Sequence, residues 1–567
     1  MATHPPGTGI PSGPDEENLS LATYYQHQYQ ETFHAAVAAG EVTPFVIPWS
    51  FIGVFFLPLF YLSIPHTNRP WLYRLRWVVA AAVVYLNVRL MQTTSAGNMA
   101  VAYSTGLAAV WGTIWNLRVL IFTHPQRDAA RVEQRPRIYH ENGGLKDEKE
   151  KTGAMVTSAA DESVAASLPD KEYFWQPFPA QASFLTRLGW TADLLTSLRG
   201  GGWNFCISSI PHPPLPERLP DPGSSGGGKP LPAVRLDLIP LASRSGTSRS
   251  RTYASFLRSR LLQFALSYLT IDILTVTMRR DPYFLLGPDY AANQPPLPLP
   301  SFMTALPLPG ITIPLLRTLP AAAGILAGLH LYFALLQLVC VFLLPGRIFG
   351  PRFTELWQHP TLFGSFTRSV CDRGLAGFWG GWWHQTFRLG FTAPLRFLFP
   401  PDPPPPGAQL SSGGAKTRAA AEMLLAFFLS GVLHAAGGIT SVARPTTVAW
   451  TPVAFFVSQA VGVLLQTGLC ALLVGSSTPK ERGRGGFPRW VRRAGNLLFA
   501  ATWLLLTAPG LIDDMSRAGL WLFEPVPVSP LRVMGLGSPG ESWWRWDGEY
   551  GLRWYTGRHW WESGIRL

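Results

Sequence analysis

The chain has 567 residues, 14% of them charged and 47% hydrophobic, with 22 Trp, 33 Phe and a net charge of +13. So few charges, against roughly 25% in soluble domains, argue against an ordinary soluble protein and for helices packed in lipid. The basic excess sits in loops between apolar runs without any nucleic-acid-binding motif, so it reads as a positive-inside pattern and not as a nucleic-acid surface.

Residues 1–43 form a polar N-terminal segment. Met1–Ser20 has no apolar core, so no cleavable signal peptide is expected and the first apolar run serves as an uncleaved anchor. Ala2 in place of Gly excludes N-myristoylation. A helix needs about 20 apolar residues to cross a bilayer. Runs of that kind lie near 46–64, 77–91, 99–122, 255–277, 321–344, 419–436, 449–474 and 494–512. They predict an all-α polytopic membrane protein with about eight transmembrane helices, three of them in 44–123. The loop at 65–76 carries Arg69, Arg74 and Arg76 without an acid, and 478–493 carries six basic residues against Glu481. Placing both loops in the cytosol puts both termini on the opposite side.

The insert at 124–254 is expected to lie in the cytosol and to be mostly disordered. It holds a charged stretch from Glu141 to Lys171 and the breaker runs Pro211–Pro216 and Gly226–Gly228. Within it, the recurrence of Trp190, Leu194, Leu195 and Leu198 predicts a short helix near 184–205, ending in the glycine turn Arg199-Gly-Gly-Gly-Trp203. The membrane core follows at 255–512. Its fourth run contains Asp272, an acid inside a span. Between the fifth and sixth runs, Phe353–Phe366 and Leu389–Phe399 read as interfacial or re-entrant helices. The tail, 513–567, has seven Trp, which suit an interfacial collar or a packed cap. Cys206, Cys340, Cys371 and Cys470 are scattered, with no zinc-site or disulfide-framework spacing, and no metal site is implied.

Two histidines stand where a plain membrane helix has no use for them. His434 lies in Ser430-Gly-Val-Leu-His-Ala-Ala-Gly-Gly438, among small residues that let a neighbouring helix or a substrate come close. A histidine bonded to nearby backbone would be the plain structural account. The chemical account is a general base in a dry cavity. His384 lies in Phe378-Trp-Gly-Gly-Trp-Trp-His-Gln-Thr-Phe-Arg388. An interfacial aromatic belt explains Trp379, Trp382 and Trp383, but not the Gly-Gly pair or the His-Gln followed by Arg388. Nucleophile-elbow, zinc-protease and P-loop motifs are absent.

The aromatic His-Gln motif, followed by Ser-Gly-x-Leu-His434, resembles the wax-synthase-like branch of the membrane-bound O-acyltransferases. Arg199-Gly-Gly-Gly-Trp203 looks like the Arg-Gly-x-Gly-Trp element of its fungal members. The likeness covers about 185–512. It implies that fold and a transfer of an acyl group, acetyl in the fungal type, from acyl-CoA to the hydroxyl of a lipophilic alcohol such as a terpenoid or polyketide. Acyl-CoA is then a co-substrate, with no bound cofactor and no protein partner indicated, and the membrane expected is the endoplasmic reticulum. By the same resemblance His434 is the base and His384 the second polar site. Trp379, Trp383, Gln385, Arg388, Arg199 and Trp203 are candidate substrate-binding residues. His384, Gln385 or a backbone N–H would meet the oxyanion. Arg368, Arg373 and Arg388 would face the coenzyme A head. Long-chain wax-ester synthesis is one alternative; a transporter or lipid-binding protein using the histidines and Asp272 is another.

Overall fold

The computed structural model describes residues 20–136, 171–216, 231–289, 312–344, 351–399, 412–442, 450–474, 487–546 and 548–567. Six helices among these residues are long and apolar enough to cross a membrane: Met99–Phe122, Tyr253–Met278, Leu316–Leu343, Thr417–Ile439, Trp450–Leu473 and Arg489–Arg517. Six of the eight expected runs are among them, and the first two fall short of that measure. The 46–64 run forms a helix only over Trp49–Leu62, passing through a 3-10 turn and a π turn before its last α segment. At 1.5 Å per residue that is about 21 Å, short of the roughly 30 Å hydrocarbon layer. The 77–91 run becomes Arg76–Thr93, a longer helix but with Arg89, Asn87 and Gln92 along it.

The helices that concern the site are α1 (Arg76–Thr93), α2 (Met99–Leu117), α3 (Phe184–Thr196), α4 (Tyr253–Met278), α5 (Thr312–Leu338), α6 (Arg388–Leu398), α7 (Ser412–Ile439), α8 (Trp450–Val474), α9 (Arg489–Thr507) and α10 (Pro509–Arg517). α7 lies between α2 and α8, and α4 packs along α5. Small residues set these distances. A Cβ on Gly106 would stand 1.9 Å from the carbonyl oxygen of Ala436, and one on Gly431 2.5 Å from the Cα of Val453. Backbones this close are the way helices gain contact in lipid, where no hydrophobic effect draws them together.

The insert is more ordered than its composition suggests, which corrects the expectation for its described parts. Strands β1 (Ala130–Pro136) and β2 (Lys171–Pro177) pair antiparallel, with Val132 opposite Trp175. α3 begins at Ser183, whose Oγ accepts the Thr186 N–H at 3.3 Å. Its Trp190 meets Phe178 and Trp203 edge-on, with ring centroids 5.2 and 4.9 Å away. A second small core joins Val132, Trp175, Val234 and Ile239 to Trp357, which comes from beyond α5. Large aromatics at a few positions supply enough burial to order a Pro- and Gly-rich layer. Residues 137–170, which hold most of the charged stretch, and Gly226–Gly228 lie outside the described residues.

One further expectation shifts and its companion holds. Phe353–Phe366 is not one helix but short 3-10 turns followed by coil, because Pro360 removes a donor and Gly364 lies against the carbonyl of Gly381. Leu389–Phe399 does form a helix, α6. The tail folds back on the bundle. Its strands β3 (Arg553–Tyr555) and β4 (Gly564–Arg566) pair, and β4 also pairs with Val46–Ile47 near the start of the chain. Asp272 is buried against the tail, accepting the Ser529 hydroxyl and, at 2.9 Å, the Leu531 N–H.

Candidate active site

The aromatic motif is a tight turn. A short helix, Asp372–Gly377, runs into a π turn at Phe378–Trp382, and Trp383 then leaves in an extended conformation. Two features force this path. Gly381 sits where a Cβ would lie 2.7 Å from Ser369 Oγ, and its carbonyl occupies the space a Cβ on Gly364 would need. The Gln385 carboxamide then donates to the carbonyls of Trp379 and Trp383, both at 2.7 Å, closing the turn from inside. Gly380 is not crowded in this way, its nearest neighbour for a Cβ being an Arg373 nitrogen at 3.9 Å.

The turn presents its rings to one another and to the helices. Phe378 and Trp383 stack at 5.7 Å and 14°. Trp379 packs against Phe427 of α7 and Phe455 and Phe456 of α8, and its Nε1 points to Gln459 Oε1 at 3.4 Å. Phe456 in turn lies flat on the His434 ring, with centroids 5.0 Å apart and planes at 12°. His384 sits beside Trp383 at 5.3 Å, Phe387 at 5.6 Å and Phe363 at 6.5 Å. One aromatic shell therefore carries both imidazoles, although the chain separates them by half a hundred residues.

His434 occupies the next-to-last turn of α7. Its backbone carbonyl accepts the Tyr103 hydroxyl at 3.2 Å, which ties the turn to α2. In both imidazoles Nδ1 is buried without a hydrogen-bond partner among the described residues, while each side chain as a whole is only half-buried. A ring nitrogen without a protein partner is available to a substrate or a water, and here two of them lie in one shell. For His384, outside the six spans, burial opposes protonation, and the nearby His434 and Arg199 add to it. A neutral imidazole is the form that accepts a proton from an alcohol.

The other sequence candidates divide. Trp379 and Trp383 line the shell. Gln385 has both amide contacts committed to the turn, which removes it as an oxyanion donor. Arg388 is exposed at the start of α6 and reaches Gln385 Oε1 at 3.3 Å. Trp203 is fully buried in the insert core and has no surface left for a substrate. Arg199 donates to the carbonyls of Thr361 at 3.0 Å and Pro360 at 3.4 Å. The glycines beside it are needed for their backbone: Gly200 and Gly202 have φ of +67° and +73°, with Cys206 and Gln358 packed against them. Phe456, Phe363 and Tyr103 were not legible as site residues. Nothing in their spacing distinguishes them from other apolar residues of a span or loop.

One comparison falls on the segment that carries both histidines. Residues 359–458 match the membrane bound O-acyl transferase family. The chain is 25% identical over 291 residues to the O-mevalon transferase yanI of Aspergillus niger, covering 51% of this chain and 54% of that protein. It is 25% identical over 363 residues to the acetyltransferase ataH of Aspergillus terreus, covering 62% of this chain and 96% of that one. It is 28% identical over 186 residues to the acetyltransferase fsoF of Humicola fuscoatra, covering 33% and 40%. The chain thus spans about half the length of the first of these relatives and nearly all of the second. No solved structure matches.

Proposed function

We propose that this protein is an integral-membrane O-acyltransferase that moves an acyl group, acetyl by the names of its relatives, from acyl-CoA to the hydroxyl of a lipophilic secondary metabolite. The observation that carries this reading is the pair of imidazoles with unpartnered Nδ1 atoms in one aromatic shell, inside the segment that matches the acyltransferase family. The chemistry asks little more. His434 takes the proton of the alcohol as its oxygen attacks the thioester carbonyl. The tetrahedral oxyanion forms beside His384, whose ring N–H is the remaining side-chain donor once Gln385 is committed to the turn. Collapse breaks the C–S bond, and the proton held on His434 passes to the departing thiolate. The stacked Phe456 keeps the imidazole plane fixed and the aromatic shell keeps bulk water from competing for the acyl group.

The test is acyl transfer by microsomes carrying the wild-type or His434→Ala chain, with labelled acetyl-CoA and a panel of terpenoid, polyketide and long-chain alcohols. Loss of a general base lowers the rate by about a hundredfold or more. A variant that accumulates normally and turns over like wild type would remove His434 from the chemistry. Preference for long-chain acyl-CoA and fatty alcohols would replace metabolite acetylation with wax-ester synthesis.

A further inference from the structure

Beyond the histidines, two guanidinium groups are set into the protein without a carboxylate partner among the described residues. Arg199 makes its contacts to the carbonyls of Pro360 and Thr361. Arg260 of α4 is 4% exposed. It donates to Gln263 Oε1 at 3.0 Å and reaches the carbonyl of His359 at 3.5 Å, while its Nε is buried with no partner. Unpaired buried charges are expensive. Burial holds the Arg199 guanidinium down at about 10; the Cys206 thiol beside it works the other way, and the neighbouring Arg260 charge adds a smaller push down.

A half-open cavity of about 180 Å³ gives onto this charge. Arg199, Gln358, His359, Thr196 and Ser197 are among its lining residues. The Gln358 Nε2 is buried and has no acceptor. Asp193 also lines the cavity, but its carboxylate is engaged by Arg131 at 3.2 Å. The lining therefore offers positive charge and an idle N–H donor, the complement of a phosphate. The chain links it to the site: Pro360 and Thr361 take the Arg199 bonds, and Phe363, two residues on, faces His384. By contrast Arg368, Arg373 and Arg388, where the sequence placed the coenzyme A head, are exposed.

We propose that this cavity binds a phosphate group of the acyl donor, with Arg199 and Gln358 as hydrogen-bond donors and Arg260 as the charge behind them. This rests on the acyl-CoA reading, so the first measurement avoids turnover. The full chain in neutral nanodiscs is titrated with coenzyme A, dephospho-coenzyme A, adenosine 3′,5′-bisphosphate and inorganic pyrophosphate, and thermal stabilisation is read. The same titration is repeated in nanodiscs rich in phosphatidylserine. Arg260→Gln and Gln358→Leu are then compared with wild type, two variants being used in case one fails to fold.

The expected result is saturable stabilisation by coenzyme A and the bisphosphate, weakened about tenfold in each folded variant, with a matching rise in KM for acyl-CoA and little change in kcat. Binding and KM within twofold of wild type in both folded variants would leave Arg260 and Gln358 as structural residues and overturn the proposal. So would occupancy by the anionic lipid in place of coenzyme A. If coenzyme A binds and the variants lose it, yet no alcohol is ever acylated, the cavity stands and the acyltransferase reading falls.

Discussion

His434 and His384 belong to one shell because aromatic side chains from separate segments pack in a chain from one ring to the other. Phe456 is the pivotal one, since it touches both the His434 ring and Trp379 of the turn. Truncating it opens one face of the imidazole and lets the ring tilt. Phe456→Ala should therefore lower kcat by about tenfold or more while KM for acyl-CoA stays near wild type, because a misplaced base damages the chemical step and not donor binding. Steady-state kinetics with acyl-CoA varied at saturating alcohol separates the two; a pure KM effect would place Phe456 in donor binding instead. Gln385 makes the opposite kind of prediction. Leu fits its volume but leaves the Trp379 and Trp383 carbonyls without their donor. Each lost bond is worth about 1 kcal/mol, more where the acceptor is stranded. Gln385→Leu should lower the melting temperature as well as activity, and a fall in activity at unchanged melting would return Gln385 to the substrate.

At the level of elements, glycine decides how closely the pieces come together, and the structure separates glycines that look alike in sequence. Gly380 and Gly381 are neighbours, but only Gly381 is pressed against another segment, at Ser369. Gly380→Ala should retain most activity. Gly381→Ala has to displace the Ser369 side chain, and Gly106→Ala places a methyl 1.9 Å from a backbone carbonyl of α7 that cannot yield without parting two helices. The expected order of detergent-solubilised stability is Gly380→Ala, then Gly381→Ala, then Gly106→Ala, measured by thermal melts; equal behaviour of the first two would refute the crowding argument. The sequence patterns supported a close approach around Gly431 and Gly437, since small residues in an apolar run favour it. They did not reveal the reach of Gln385 to two carbonyls, nor Gly364 against Gly381, because neither the π turn nor the loop that meets it leaves a periodic trace. The insert was misjudged for a related reason. Its order comes from Trp175, Trp190, Trp203 and the distant Trp357, and mean composition dilutes a few large aromatics among many Pro and Gly.

Across the whole molecule, the tail is joined to the bundle through charge. Arg532 contacts Glu541 at 2.8 Å and Glu524 at 3.2 Å, and Glu524 also takes Arg279 at 2.8 Å and Arg545 at 2.7 Å. Arg279, Glu524, Arg532 and Arg545 are buried, and so is the side chain of Glu541. Asp272 belongs to the same group, bonded to Ser529 and the Leu531 N–H. In the sequence it was simply an acid within a span, which suited proton coupling as well as structure, and its partners lie more than 250 positions away. Six of the seven tail tryptophans are exposed, whereas Trp521 packs onto the bundle. Removing one partner of a buried ion group strands the others and costs about 3–5 kcal/mol. Glu524→Gln should therefore destabilise the protein strongly, since three arginines share that carboxylate. Asp272→Asn keeps one acceptor and should cost less. In the molecules that remain folded, acyl transfer at saturating substrates should run at the wild-type rate for both, because the cluster belongs to the tail clamp and not to the imidazole shell. Melting curves and per-molecule rates across pH distinguish the roles. A stable Asp272→Asn protein with an altered pH dependence of transfer would mean that this carboxylate moves protons, and that the tail covers a second working part of the molecule.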